Sequence, residues 1–132
     1  MPEPVSVLKE QVAAADGVIL FTPEYNNSMP GVLKNAIDWV SSSMTGAPNV
    51  FAGRPFALAG TSPGNFGTIL SQNAWLPVFH TLGADLWSGK RLMLPKANAL
   101  FDKDGALIDE EARKRLAAFV EAFADYCKSA AS

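Results

Sequence analysis

Two short runs of this sequence carry the residue types of a site for a planar ring with a polar edge. The first runs from Thr22 to Met29, Thr-Pro-Glu-Tyr-Asn-Asn-Ser-Met. Tyr25 offers an aromatic face for stacking, and Asn26 and Asn27 offer amide donors and acceptors for the edge of a heterocycle. The second runs from Thr61 to Gly67. There Gly64 and Gly67, with Gly60 just before them, allow close approach of the backbone to a ligand. Thr61 and Ser62 add hydroxyl groups. Each run follows an apolar segment and precedes a helical pattern. Ligands of open parallel sheets bind beyond the carboxyl ends of the strands, so the two runs are expected side by side on one edge. The helix start after the first run adds backbone N–H groups that favour partial negative charge. Taken singly, each run also reads as an ordinary strand-to-helix turn.

Other reactive side chains read as structural. His80, the lone histidine, falls inside a helical pattern beside Phe79. Cys127 is the single cysteine, which rules out an internal disulfide and a multi-cysteine metal site. Its spacing places it on a buried helix face as a small hydrophobe. Lys34 and Asp38 form an i,i+4 pair worth a few tenths of a kcal/mol. Asp102, Asp104 and Asp109 lack the remaining ligands of a calcium loop. Trp39, Trp75 and Trp87 read as core or interface, with Trp75 and Trp87 the candidates for a subunit contact.

The elements that must position the two runs alternate. Residues 5 to 14 suit a helix with Val5, Leu8 and Val12 on one face, broken by Asp16-Gly17. Val18 to Phe21 is apolar on both pleat faces, as in a strand covered on both sides, and Pro23 ends it. A helix is predicted from near Pro30, with Ser28 or Met29 close to its N-cap and a stripe of Leu33, Ala36, Ile37 and Val40. Ser41-Ser42-Ser43 and Gly46-Ala47-Pro48 turn it into a loop. Arg54 to Gly60 reads as the next strand. Phe66 to Leu82 reads as a helix with Ile69, Leu70, Asn73, Leu76 and Leu82 near one another. Pro77 inside it predicts a kink or a division near residue 76. One last strand is expected between Ala84 and Leu94, then a turn at Asp102 to Gly105. Asp109 caps a terminal helix with Ala112, Leu116, Phe119, Val120, Phe123 and Cys127 at helical spacing. Alternation of this kind defines an α/β domain with a parallel sheet, spanning residues 1–132 as one unit.

Composition narrows the function classes. The chain has 132 residues, of which 48% are hydrophobic and 18% charged, so it reads as globular with a core of its own. A net charge of −2 gives no footprint for nucleic acid or an anionic membrane surface. The apolar runs are too short to span a bilayer, and no charged segment followed by an apolar one opens the chain. The expected location is the cytoplasm.

From Thr22 to Trp39 the sequence resembles the signature of the NADPH-dependent FMN reductase family, which includes flavin-dependent quinone, azo and chromate reductases. Pro23, Glu24, Tyr25 and Asn26 match its first loop. Pro30-Gly31, Leu33-Lys34-Asn35 and Asp38-Trp39 match the helix that follows, and Ser62, Gly64 and Gly67 match its second loop. The resemblance covers residues 5 to at least 84. It implies a flavodoxin-like three-layer fold and an FMN held by Pro23, Glu24, Tyr25, Asn26, Thr61, Ser62, Gly64 and Gly67. It also implies hydride delivery from NAD(P)H to the flavin and electron transfer to a quinone, azo, metal or flavin acceptor. The flavin carries the hard chemistry, so no side chain is expected to act as acid, base or nucleophile. A small-molecule acceptor and a homo-oligomer, dimer or tetramer, complete what the resemblance implies.

The family's first strand and phosphate-binding loop have no counterpart before Val5. The chain therefore reads as lacking the first β-α-β unit, which leaves Val18–Phe21 as an apolar edge. Two other readings stand beside the reductase: a flavodoxin-like electron carrier, and a flavin-free remnant or interaction fragment.

Overall fold

The computed structural model describes residues 1–43 and 48–132. Gly46 and Ala47 of the expected loop lie outside them. The elements in order are α1 (Glu3–Ala14), β1 (Val18–Phe21), α2 (Gly31–Ser41), β2 (Pro55–Thr61), α3 (Ile69–Leu82), β3 (Asp85–Leu86), β4 (Leu92–Leu94), a 3-10 turn (Ala97–Ala99) and α4 (Glu110–Ala130). Among the described residues, no helix is long and apolar enough to cross a membrane.

Every pairing in the sheet is parallel and every pairing uses β2. On one side Val18 to Phe21 lie opposite Phe56 to Ala59. On the other, β3 meets the start of β2 (Pro55 opposite Asp85) and β4 meets its end (Thr61 opposite Leu94). The single last strand expected between Ala84 and Leu94 is thus two short pieces. The chain leaves the sheet between them after Trp87, whose N–H still donates to the Phe56 carbonyl at 2.8 Å and whose half-buried ring packs beside Phe119 and Phe123 at 5.5 and 5.4 Å.

Side chains on β2 alternate between two cores, as a pleated strand requires. Phe56 and Leu58 point to the α2–α3 side, with Ile37, Val40, Phe51, Trp75 and Phe79. Ala57 and Ala59 point to the α4 side, where their small size leaves room for Phe119 and Phe123. β1 contributes to both: Val18 and Leu20 to the first, Ile19 to the second. This is the three-layer arrangement expected of doubly covered strands.

Local signals explain the helix limits. Pro4 sits in the first turn of α1, which begins two residues earlier than the apolar pattern indicated; its Leu8 is exposed while Val5 and Val12 are half-buried. Pro30 itself is the N-cap of α2, whose buried residues are Ile37 and Val40. The Asp109 carboxylate accepts the Ala112 N–H at 2.8 Å and caps α4.

Two expectations for α3 are corrected. The helix runs undivided through Pro77, because that residue lies on the exposed face, where the freed carbonyl of the preceding turn can meet water. Its buried residues are Ser71, Gln72, Trp75 and Phe79, and Leu70 and Leu76 face outward at 45% and 44% exposure. Trp75 is fully buried, which excludes it from a subunit contact.

Phe56 packs on Phe79 and Phe51 at centroid distances of 4.9 and 5.4 Å, at the crossing of β2 with α3. Truncation to alanine removes a full aromatic from a closed core. Phe56→Ala should lower the unfolding free energy by about 3–5 kcal/mol, read as a drop in urea midpoint at unchanged slope. A loss under about 1 kcal/mol would mean that the aromatic cluster does not organise this face.

Candidate functional site

The parallel register of β1 and β2 brings the two loops together. Phe21 lies opposite Ala59, and the Thr22 N–H donates to the Ala59 carbonyl at 2.9 Å, carrying the pairing one residue past the strand. Gly60 makes this closeness possible. A Cβ there would stand 2.6 Å from the Thr22 carbonyl oxygen and would press into the Thr68 side chain.

The first loop is a tight hairpin. Tyr25 and Ser28 exchange backbone bonds in both directions, at 3.0 and 3.1 Å. Between them Asn26 and Asn27 have φ of 51° and 63°. Positive φ at both central residues is what a type I′ turn demands, and asparagine tolerates it better than other side-chain-bearing residues. The two asparagines therefore suit the backbone shape of this turn. The hairpin holds Tyr25 out at 54% exposure.

The second loop is cross-tied from within. The Thr61 hydroxyl donates to the Leu94 carbonyl at 2.8 Å, and the Ser62 hydroxyl donates to the Gly67 carbonyl. Both keep lone pairs, but their protons are spent. Gly67 has φ of 60°, and a Cβ there would strike the Met93 backbone at 2.8 Å. Gly64 faces open space, and its carbonyl accepts the Lys96 N–H at 2.8 Å. Among the described residues, the exposed N–H groups of Gly64, Asn65 and Phe66 donate to no protein acceptor. They form a run of free donors beside the Tyr25 hairpin.

Polar groups on α3 lock the loops to each other. The Glu24 Oε1 accepts the Leu70 and Ser71 N–H groups at 2.8 and 3.0 Å. With Ile69 N–H bonded to the Phe66 carbonyl, the first turn of α3 has its donors filled. Below, the buried Thr22 hydroxyl donates to the Pro23 carbonyl at 2.9 Å and accepts the Trp75 indole N–H at 3.0 Å. Its contact with the Ser71 hydroxyl, also 3.0 Å, must then be donated by Ser71. Gln72 completes the set by donating to Thr68 Oγ1 and to the Leu92 carbonyl, at 3.1 and 3.0 Å. Thr68, Ser71, Gln72 and Trp75 do not figure among the sequence-predicted site residues, and Thr22 figures only as the first residue of the first run, with no role assigned to it. The signal that could have found them is Thr68, Ser71, Gln72 and Trp75 at i, i+3, i+4, i+7 spacing, a polar stripe at the position of a helix's buried face.

A cavity of about 370 Å³ opens between the loop bases and the α4 side. Pro23, Thr61 and Gly60 line it together with Leu92, Leu94 and Leu116, so its walls are mainly apolar. The displaced titrations lie at the opposite end of the sheet. Tyr126 donates to Asp85 at 2.6 Å, which pushes its phenol up. Burial, then the Asp16 and Asp85 carboxylates, raise the Cys127 thiol. Cys127 and Phe123 press on Gly17, where a Cβ would not fit, so the thiol is packing material as expected. Lys34 and Asp38 pair at 2.8 Å on the surface of α2, and His80 is exposed on the last turn of α3.

The parallel sheet, covered on both faces, with paired loops at its carboxyl edge defines a flavodoxin-like α/β fold. The flavoenzyme NAD(P)H:acceptor oxidoreductase of Paracoccus denitrificans shares it, with a TM-score of 0.83 at 37% identity over 97% of this chain and 69% of that one. Residues 1–99 match the NADPH-dependent FMN reductase family, and the chain belongs to that family. It is 37% identical over 127 residues to a 2-hydroxy-1,4-benzoquinone reductase from a Burkholderia species, covering 96% of this chain and 68% of the relative. It is 40% identical over 113 residues to an NAD(P)H-dependent FMN reductase of Pseudomonas aeruginosa, covering 86% of this chain and 60% of the relative. FMN is the cofactor this family implies, with NAD(P)H as co-substrate. The donor set suits that ring. Free N–H groups at Gly64 to Phe66 match its carbonyl edge, Tyr25 offers a face, and Gly64 leaves space for approach.

Thr22 has one proton and two lone pairs, and all are used. Thr22→Val keeps the shape but leaves the Trp75 N–H and the Ser71 hydroxyl without their acceptor. The expected loss is about 1–3 kcal/mol in urea unfolding, with a shifted Trp75 emission, while Thr22→Ser stays within about 0.5 kcal/mol. Equal effects of the two substitutions would show that the hydroxyl is not what matters.

Proposed function

We propose that this protein is an NAD(P)H-dependent flavin oxidoreductase, with FMN held across the Pro23–Asn26 and Thr61–Gly67 loops and a quinone-type small molecule as electron acceptor. The observation that carries the reading is the pinned pair of loops at the carboxyl edge of the sheet, with free N–H donors in one and an outstanding aromatic in the other. Family membership and the quinone reductase among the relatives support the same class. When bound, FMN supplies the two-electron chemistry, taking hydride from reduced nicotinamide and passing electrons to the acceptor.

The chain's own residues have the work of placement. Pro23, Thr61 and Ser62 form the floor between the loops. Gly64 keeps a side chain out of the approach, Gly67 keeps one off the Met93 backbone, and the free N–H groups of Gly64 to Phe66 would donate to the edge where the reduced ring carries charge. Asn26 shapes the hairpin and offers its amide. Tyr25 stacks or covers. Glu24 reaches α3 and holds the hairpin where it stands. A cytoplasmic location fits a nicotinamide-dependent enzyme. A homo-oligomer fits the exposed apolar side chains of Val32, Phe66, Leu70 and Leu76.

The test begins with the absorption spectrum of the purified chain after incubation with FMN and gel filtration. A retained flavin band, near ~450 nm for an oxidised isoalloxazine, is expected, followed by NAD(P)H oxidation when a quinone is added. Tyr25→Ala should weaken FMN binding about threefold to tenfold, the value of one aromatic contact. A chain that emerges colourless and oxidises no NAD(P)H sinks the proposal.

A further inference from the structure

Glu24 stands in an unusual electrostatic position. It belongs to the first loop, one residue before Tyr25, yet its carboxylate is bonded to the N–H groups of Leu70 and Ser71 on α3. The first turn of a helix carries partial positive charge, about half an elementary charge for the whole macrodipole. In many folds that end of the helix is turned on an anionic ligand. Here a resident carboxylate occupies it, 46 and 47 residues away in sequence from the amides it binds.

Two consequences follow from this one contact. Mechanically, it joins the Tyr25–Ser28 hairpin to the helix that begins directly after the Gly64–Gly67 run, so the two loops cannot move independently. Thr22 reinforces the joint from beneath through Ser71 and Trp75. Electrostatically, its carboxylate more than offsets the partial positive charge at the start of α3 and leaves net negative charge in the same loop. A reduced flavin ring is more anionic than an oxidised one. A negative charge in the loop that holds the ring therefore disfavours the reduced state relative to the oxidised one.

We propose that Glu24 is a positioning residue with two separable effects. It braces the two loops as one unit, and its charge lowers the preference of the site for reduced over oxidised flavin. The charge effect rests on the flavin reading above, whereas the brace does not. Glutamine separates the two, because its amide oxygen can still accept from Leu70 and Ser71 while the charge is gone. Alanine removes both.

The experiment has two arms on the full chain. Without flavin, amide exchange at Leu70 and Ser71 is measured in wild type, Glu24→Gln and Glu24→Ala. Glu24→Ala should exchange at both amides at least about tenfold faster, and Glu24→Gln should stay within about threefold of wild type. With flavin, equilibrium dissociation constants are measured for oxidised FMN and for chemically reduced FMN under anaerobic conditions. Glu24→Gln should shift the ratio of the two constants toward the reduced form by about tenfold, equivalent to roughly 30 mV upward for a two-electron couple. A merely structural glutamate would leave that ratio unmoved, so an unchanged ratio with protected amides overturns the charge effect. Unchanged exchange in Glu24→Ala overturns the brace. A wild-type chain that binds FMN in neither state overturns the flavin reading and the charge effect with it, and the exchange rates still decide the brace.

Discussion

A single hydroxyl fixes the relation between the two loops. Thr22 is buried, and a buried hydroxyl must find partners or cost about as much as a lost hydrogen bond. Its proton turns back to the Pro23 carbonyl, and its lone pairs take the Trp75 indole and the Ser71 hydroxyl. Each partner can be in only one place. Trp75 is wedged beside Phe79 at a centroid distance of 5.5 Å, and Ser71 is on the first turn of α3. The end of β1 is thereby referenced to α3, and α3 to the end of β2 through Thr68 and Gly60. The loops can be exposed, and the second one glycine-rich, because the residues beneath them hold their ends in place.

The same logic accounts for the uneven legibility of the sequence. Alternation of apolar strands with helical patterns was enough for the layer order, and Asp109, Pro30 and Gly17 mark element limits for reasons that operate within a few residues. α3 was legible in its end at Leu82, begins at Ile69 rather than Phe66, and was misread in orientation. Its apolar residues include Leu70 and Leu76, which face outward, while Ser71 and Gln72 are buried because their partners come from β1 and β4. A hydrophobicity pattern weighs each residue by its own transfer free energy and cannot see a partner 49 residues away. The division expected at Pro77 does not occur for a related reason: the proline still costs the helix a hydrogen bond, but water can meet the freed carbonyl on that exposed face while the buried contacts of Trp75 and Phe79 carry the helix through it.

The candidate site was legible to a different degree. The residue types of both loops were recognisable, and the parallel sheet puts them on one edge. What the sequence did not show is that several of those residues are already occupied. Thr61 and Ser62 spend their protons inside the loop, and Glu24 spends its carboxylate on a helix. Asn26 and Asn27 are constrained by their backbone angles before any ligand is considered. Beside the Asn26 and Asn27 side-chain amides, the donors left free among the described residues include the backbone amides of Gly64 to Phe66, which no side-chain motif advertises.

β2 is the partner of every other strand, and among the described residues no two strands pair without it. During synthesis β1 and the first loop must wait for residues 55–61 before the β1–β2 pairing, and the loop geometry it sets, can form. Once β2 has emerged, β1 can dock at once, while β3 and β4 dock later on the opposite edge. A slow codon or a ribosomal pause just before β2 would therefore prolong the time for which the edge of Val18–Phe21 that faces β2 is unpaired, whereas the same pause just after β2 would allow this pair to close.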